Sequence, residues 1–312
     1  MQASAGSAST PSAASQPSAR TRPALSAAEA QKRKLAAEYD KATDLKALYD
    51  RYATSTDPAA RYFAAKALME CAEAQRQRTR TNWLQDMRDN RISATDPKYA
   101  ERMAAFDSLQ ADRCSGFSAD QLTAGAVAGA LAEAARLGDP AARAAQLRYD
   151  MQQRMQAAMR DRKPVTMSQD DLTALQDSMR SRDPEALRQV GEWGALWMRP
   201  EGLRVGPDQT APSNSAWRAA WNLFACESGA NCGDDHRDIL MSCAMDGACG
   251  APNLQAHLQQ FAMSPYYYQE AQRYQDMIRS ALEQGRWDWL GLANPPVLGP
   301  RLPNTITTPP RK

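Results

Sequence analysis

The dipeptide Asp-Pro occurs four times, at Asp57-Pro58, Asp96-Pro97, Asp139-Pro140 and Asp183-Pro184, with spacings of 39, 43 and 44 residues. Each copy is a helix-start signal. An aspartate at the N-cap accepts hydrogen bonds from the orphan backbone N–H groups of the first turn. A proline just inside the helix lacks the donor that would otherwise be unsatisfied there and already has a helical φ. The stretches that follow, such as "DPAARYFAAKALMECA" and "DPEALRQVGEWGALW", consist mainly of residues that lose little entropy in a helix. Two of the preceding stretches, "TDLKALYDRYATSTDP" and "DDLTALQDSMRSRDP", also match in part. The repeating unit is therefore predicted to be helix, short turn, Asp-Pro, helix. No convincing period-two alternation occurs, so no sheet is predicted. The expected fold class is all-α: an irregular, α-solenoid-like array of helical hairpins followed by a disulfide-stapled C-terminal helical region.

The helical faces fit this reading. Ala60, Phe63, Ala64, Ala67 and Cys71 share one stripe, and Leu187, Val190, Gly194 and Trp197 share another; both are expected to be core. Gly125 and Gly129, in an alanine-rich stretch, are expected to allow close helix packing. The expected domain organisation is a disordered Ala/Ser/Pro linker at 1–24, the hairpin region at 25–209, a Cys-rich helical region at 210–292 and a disordered Pro-rich tail at 293–312.

"GDPAARAAQL", from Gly138 to Leu147, resembles the second helix of Sel-one-like repeats, and the region from about 40 to 200 resembles these and tetratricopeptide-type α-hairpin repeats. That resemblance implies a protein-binding scaffold. The chain also resembles exported proteobacterial proteins, which bears on compartment and not on activity.

Six cysteines make an even set. Cys71 and Cys114 are expected to join neighbouring helix ends, closing a loop worth on the order of 3–4 kcal/mol. The figure Cys, five residues, Cys, Gly occurs twice in "CESGANCGDDHRDILMSCAMDGACG", Cys226 to Gly250. Each first cysteine falls in the last turn of a predicted helix, and each second one follows a C-cap glycine, Gly229 or Gly247. Local Cys226–Cys232 and Cys243–Cys249 bonds are preferred, although four cysteines permit crossed pairings. A zinc site from these thiols with His236 or His257 is the alternative. It is disfavoured because five intervening residues exceed the usual knuckle spacing. No metal and no cofactor is therefore expected, and both histidines are placed at the surface or at helix caps.

Disulfides imply an oxidising compartment, so the expected location is periplasmic or secreted. "MQASAGSASTPSAASQPSARTRP" has no basic-then-apolar leader and instead resembles the linker after a cleaved signal or lipid anchor. No apolar run is long enough for a membrane span. A net charge of +2, from 38 basic and 36 acidic residues, favours no nucleic-acid partner. The basic stretch from Ala74 to Arg91 is accordingly read as a solvated helix.

One motif points to chemistry. "ACESGANCG" resembles the Glu-Ser-Gly-x-Asn segment of lytic transglycosylases and related muralytic domains. The resemblance implies Glu227 as general acid on a glycosidic oxygen, with Trp217, Trp221, Trp287 and Trp289 as sugar-stacking faces. The second copy of the figure carries Ala244 in the corresponding place, so cysteine and glycine alone account for the repetition. A non-enzymatic interaction module, either a scaffold or an immunity-type binder of another protein, is therefore preferred to a peptidoglycan-cleaving enzyme. Tyr266, Tyr267, Tyr268, Tyr274, Trp287 and Trp289 form the candidate binding surface.

Overall fold

Short polar side chains fix where the helices of this chain begin, and three of the Asp-Pro pairs do so as the sequence predicts. Asp57 Oδ1 accepts from the N–H of Ala59 and Ala60, Asp139 Oδ1 from Ala142 at 2.8 Å, and Asp183 Oδ1 from Ala186 at 2.9 Å. The computed structural model describes residues 26–80, 83–110, 112–161, 163, 165–197 and 203–298. The expectations for residues 1–24 and for the tail beyond 298 lie outside the described residues, as does the expected burial at 194 and 197.

Among the described residues the chain forms thirteen α-helices. They are α1 (Ala27–Lys41), α2 (Leu45–Tyr52), α3 (Pro58–Arg80), α4 (Trp83–Asn90), α5 (Tyr99–Gln110), α6 (Ala124–Arg136) and α7 (Pro140–Asp161), then α8 (Gln169–Arg180), α9 (Pro184–Trp197), α10 (Asn214–Ser228), α11 (Arg237–Asp246), α12 (Leu254–His257) and α13 (Pro265–Gln284). A π-helical turn, Leu258–Ala262, continues α12, and a 3-10 turn, Trp287–Leu290, follows α13.

Sequential neighbours pack as hairpins: α2 with α3, α6 with α7, and α8 with α9. These join through α3 on α6 and α7 on α9, and the line continues through α9 on α10 and α10 on α13. The stripe from Ala60 to Cys71 is buried as expected. Tyr62, Leu68 and Ala72 are buried too, because α3 meets α1, α2 and α6 on different sides.

The second Asp-Pro unit leaves this line. Asp96 accepts from Lys98 N–H at 2.7 Å and from Arg102, and α5 starts only at Tyr99. Helix α5 then packs on α11, burying Ala105 and Phe106 with Cys243, Ala244 and Cys249. Arg102 donates to the carbonyls of Ala244 (3.1 Å) and Met245 (2.7 Å), which have no acceptor role left inside the end of α11. That interaction draws the unit out of the expected register.

Three further expectations are corrected. Gly125 and Gly129 are exposed with open space around them, and α6 packs instead through Val127, Leu131 and Ala134. A short antiparallel pair exists, β1 (Val165–Thr166) with β2 (Val297–Leu298), so the segment from 293 to 298 is held to the body. Gln176 Nε2, donating to the Leu292 carbonyl at 2.9 Å, fixes its approach. The proposed boundary at 209/210 runs through one continuous core that includes Met179, Leu187, Trp217, Trp221, Ile278 and Leu290. Across it α9 and α10 approach closely: a Cβ on Gly191 would stand 2.8 Å from Trp221 Cβ.

Helix α1 packs on α3 and adds polar contacts to distant parts of the chain. Leu35 and Tyr39 are its buried residues, whereas Lys32 reaches α7 and α9, Arg33 lies against the end of α10, and Asp40 accepts from Asn231 at 3.0 Å.

Candidate functional site

The C-terminal region is built on the two repeated cysteine figures. Helix α10 ends at Gly229 (φ 112°) and α11 at Gly247 (φ 73°), both in the left-handed region that glycine tolerates. The chain folds back at each, and the structure closes Cys226–Cys232 and Cys243–Cys249, with Cα–Cα distances of 5.7 and 4.4 Å. The third bond, Cys71–Cys114, spans 5.4 Å. These are the pairs the spacing pointed to. All six cysteines are committed to them, so the zinc alternative has no thiolate to draw on.

A groove of about 370 Å³ opens beside the first staple. Leu223, Cys226 and Cys232 line it together with Tyr268 and Glu227. The remaining lining is carboxamide: Asn253, Gln255, Gln272 and Gln275. The Cys232 loop is fastened to the start of α12 by Leu254 N–H donating to the Cys232 carbonyl at 2.9 Å and by the Gly233–Asn253 bridge.

Glu227 sits on this groove and is engaged by α13. Arg279 donates to it through Nε (3.1 Å) and Nη2 (2.6 Å), and Gln275 Nε2 donates at 2.8 Å. This forked pair clamps α10 to α13.

The aromatic residues are divided by burial. Trp217 and Trp221 are each 1% exposed and lie in the main core, so neither presents a face to a sugar. Tyr268 is buried, and Tyr274 packs edge-on to Trp217 at 5.6 Å. Burial, together with its hydrogen bond to Glu270, pushes the Tyr274 phenol up to about 12. Trp287 and Trp289 pack on the same core, beneath the guanidinium groups of Arg180 and Arg286. Of the six aromatic residues predicted to form a surface, Tyr266 (63%) and Tyr267 (44%) are exposed. Phe261, 46% exposed, was not anticipated. It lies in the π-helical turn, where the wider winding breaks the apolar stripe begun by Leu254 and Leu258.

The histidines also separate. His236 caps α11, its Nδ1 accepting from Asp238 N–H at 3.2 Å. His257, expected at the surface, is buried, and burial pushes its imidazole pKa down with partial opposition from Asp238. No grouping of three metal-ligating side chains occurs among the described residues.

One polar centre escaped the sequence. Lys32 bridges Asp139 (2.6 Å) and Asp183 (2.7 Å), so two Asp-Pro caps share one ammonium. Beside it, Lys66 lies 2.8 Å from Glu185, which also receives Tyr62 (3.2 Å) and Arg188. Burial drives the Glu185 carboxyl up, but Arg188 and Lys66 outweigh it and hold it at about 2. Burial lowers the Lys66 pKa, with Glu185 opposing. Only the three-dimensional fold brings these groups together, since Lys66 and Glu185 are 119 positions apart.

No family model matches the chain, and no curated protein or solved structure matches it either.

Proposed function

We propose that this chain is a non-enzymatic protein-binding module of the periplasm or cell surface, either a scaffold or an immunity-type binder. In this reading the hairpins from α2 to α9 form an α-solenoid-like support of the kind Sel-one-like repeats provide, and the stapled region presents the contact surface. One observation carries it. Among the described residues four large hydrophobic side chains are exposed, and three of them, Phe261, Tyr266 and Tyr267, fall within seven positions. Exposed tyrosines on a rigid frame are typical interface anchors. The disulfides support an oxidising compartment.

The test is a photoreactive phenylalanine analogue at Tyr267, cross-linked in a cell-envelope preparation. A defined adduct that disappears when Tyr266→Ser is added supports the proposal. Adducts identical to those from a probe at exposed Gln169, at the start of α8, refute it.

A muralytic enzyme is the second reading, favoured by the position of Glu227 on the groove. Purified peptidoglycan incubated with wild type and with Glu227→Gln decides it: equal inactivity sinks the enzyme.

A further inference from the structure

We propose that the groove beside the Cys226–Cys232 staple holds an extended, uncharged peptide segment of a partner protein, recognised mainly through its main chain. This rests on the binding-module reading but assigns the contact to residues other than the exposed aromatics.

Four carboxamides face the groove from two elements, Gln272 and Gln275 on α13 and Asn253 and Gln255 at the start of α12. A carboxamide carries donors and an acceptor in one plane, as a peptide unit does, so Gln255 and Gln272 can pair with main-chain groups of either sense, while Gln275 also donates to Glu227 and Asn253 Oδ1 caps α12. Tyr268, Gln272 and Gln275 follow one another at four and three positions along α13. With a helical rise of ~1.5 Å, their polar ends recur about every 4.5–6 Å. An extended chain repeats about every 6.6 Å per two residues, which is the same scale. At about 370 Å³ the groove fits a short stretch of chain and not a folded domain.

The electrostatics select for neutrality. Glu227 is the single carboxylate in the lining and is already held by Arg279 and Gln275, so the groove offers a charged ligand no unmatched counter-charge. A glycan fits less well. Sugar rings stack their C–H faces on exposed aromatic faces, and here Tyr268 is 6% exposed while Trp217 and Trp221 are buried beneath. The staple and the Leu254–Cys232 hydrogen bond hold the walls in place before any ligand arrives, which lowers the ordering cost of binding.

The probe is a phage library of random heptapeptides, panned on the full-length protein under non-reducing conditions. Selected peptides are synthesised with a fluorophore and titrated by anisotropy against wild type, Gln255→Ala, Gln272→Ala and the Tyr266→Ser/Tyr267→Ser double variant. Gln255 and Gln272 are exposed, and each variant is first shown to melt like wild type. The expected result is uncharged peptides whose Kd rises about ten-fold in each glutamine variant, as loss of hydrogen bonding predicts. N-methylation of alternate peptide nitrogens abolishes their binding, and the tyrosine variant leaves it unchanged. The proposal falls if no selected peptide depends on Gln255 and Gln272. It also falls if chitohexaose, titrated in parallel, binds in a Gln272-dependent way and the peptides do not. Peptide binding lost only in the tyrosine variant overturns the groove while sparing the binding-module reading. Groove binding without any Tyr267 adduct does the reverse for the aromatic surface.

Discussion

Replacing Glu185 by Gln removes one charge from the centre of the molecule while keeping the side chain's shape. The carboxylate is 5% exposed, and its partner Lys66 is 12% exposed. The substitution leaves Lys66 buried without its counter-ion and turns one of the two oxygens that accept from Lys66, Tyr62 and Arg188 into a donor. Breaking a buried pair by removing one partner costs about 3–5 kcal/mol. For a chain of this length, roughly 2 °C of Tm is lost per kcal/mol, so the variant should melt about 6–10 °C lower. Differential scanning calorimetry at pH 7 reads this directly. The same logic fixes a sign with pH. Because the folded carboxyl is held at about 2, below its ordinary value of 4.5, its stabilisation is fully present above 4.5 and is lost as pH falls toward 2. The gap between wild type and variant should therefore narrow across that window. A Lys66→Met/Glu185→Leu double variant removes both charges and should recover most of the loss, since a packed apolar pair avoids desolvating ions. A Tm drop below 2 °C for Glu185→Gln, or a double variant no better than the single one, would refute the reasoning.

Three other outcomes follow from the same structure. Gly191→Val should destabilise by about 1–3 kcal/mol through overpacking, read as a lower urea midpoint, because even a Cβ at this position would stand 2.8 Å from Trp221. Cys71→Ala/Cys114→Ala opens a loop of 43 residues and should cost about 3–4 kcal/mol in the same assay. Arg102→Ala unties the end of α11 from α5, so amide exchange over residues 99–110 should accelerate while that of α3 stays unchanged.

Features encoded within a few residues were legible in the sequence. Aspartate and proline side by side, or a glycine following a last-turn cysteine, act through hydrogen bonds and backbone angles that are local. Accordingly three Asp-Pro starts, the C-caps at Gly229 and Gly247, and the all-α class could be read directly. Asp96 shows where this stops. Its local signal is the same as the others, but Arg102 and a distant pair of carbonyls redirect it. The aromatic run failed for a similar reason. Tyr266, Tyr267 and Tyr268 are adjacent, and a helix turns successive side chains by about 100°, so burial of Tyr268 leaves its two neighbours outside. Trp217 and Trp221, four positions apart, share the buried face. In the candidate site, the cysteine pairs and Glu227 were visible, but the carboxamide walls come from α12 and α13 and carried no signal as a set.

The polar contacts of α1 have a consequence for how the chain acquires its structure. Lys32 is joined to a partner 107 positions on, Arg33 to one 195 positions on, and Asp40 to one 191 positions on. A chain emerging from a ribosome or a translocation pore presents α2 and α3 soon after α1, but the partners of Lys32, Arg33 and Asp40 arrive much later. Helices α1, α2 and α3 can pair early through contacts of short range, whereas the Lys32, Arg33 and Asp40 contacts wait until the starts of α7 and α9 and the stapled end of α10 are in place. The polar side of α1 is then satisfied well after its apolar side, and its closing follows the arrival of the stapled loop.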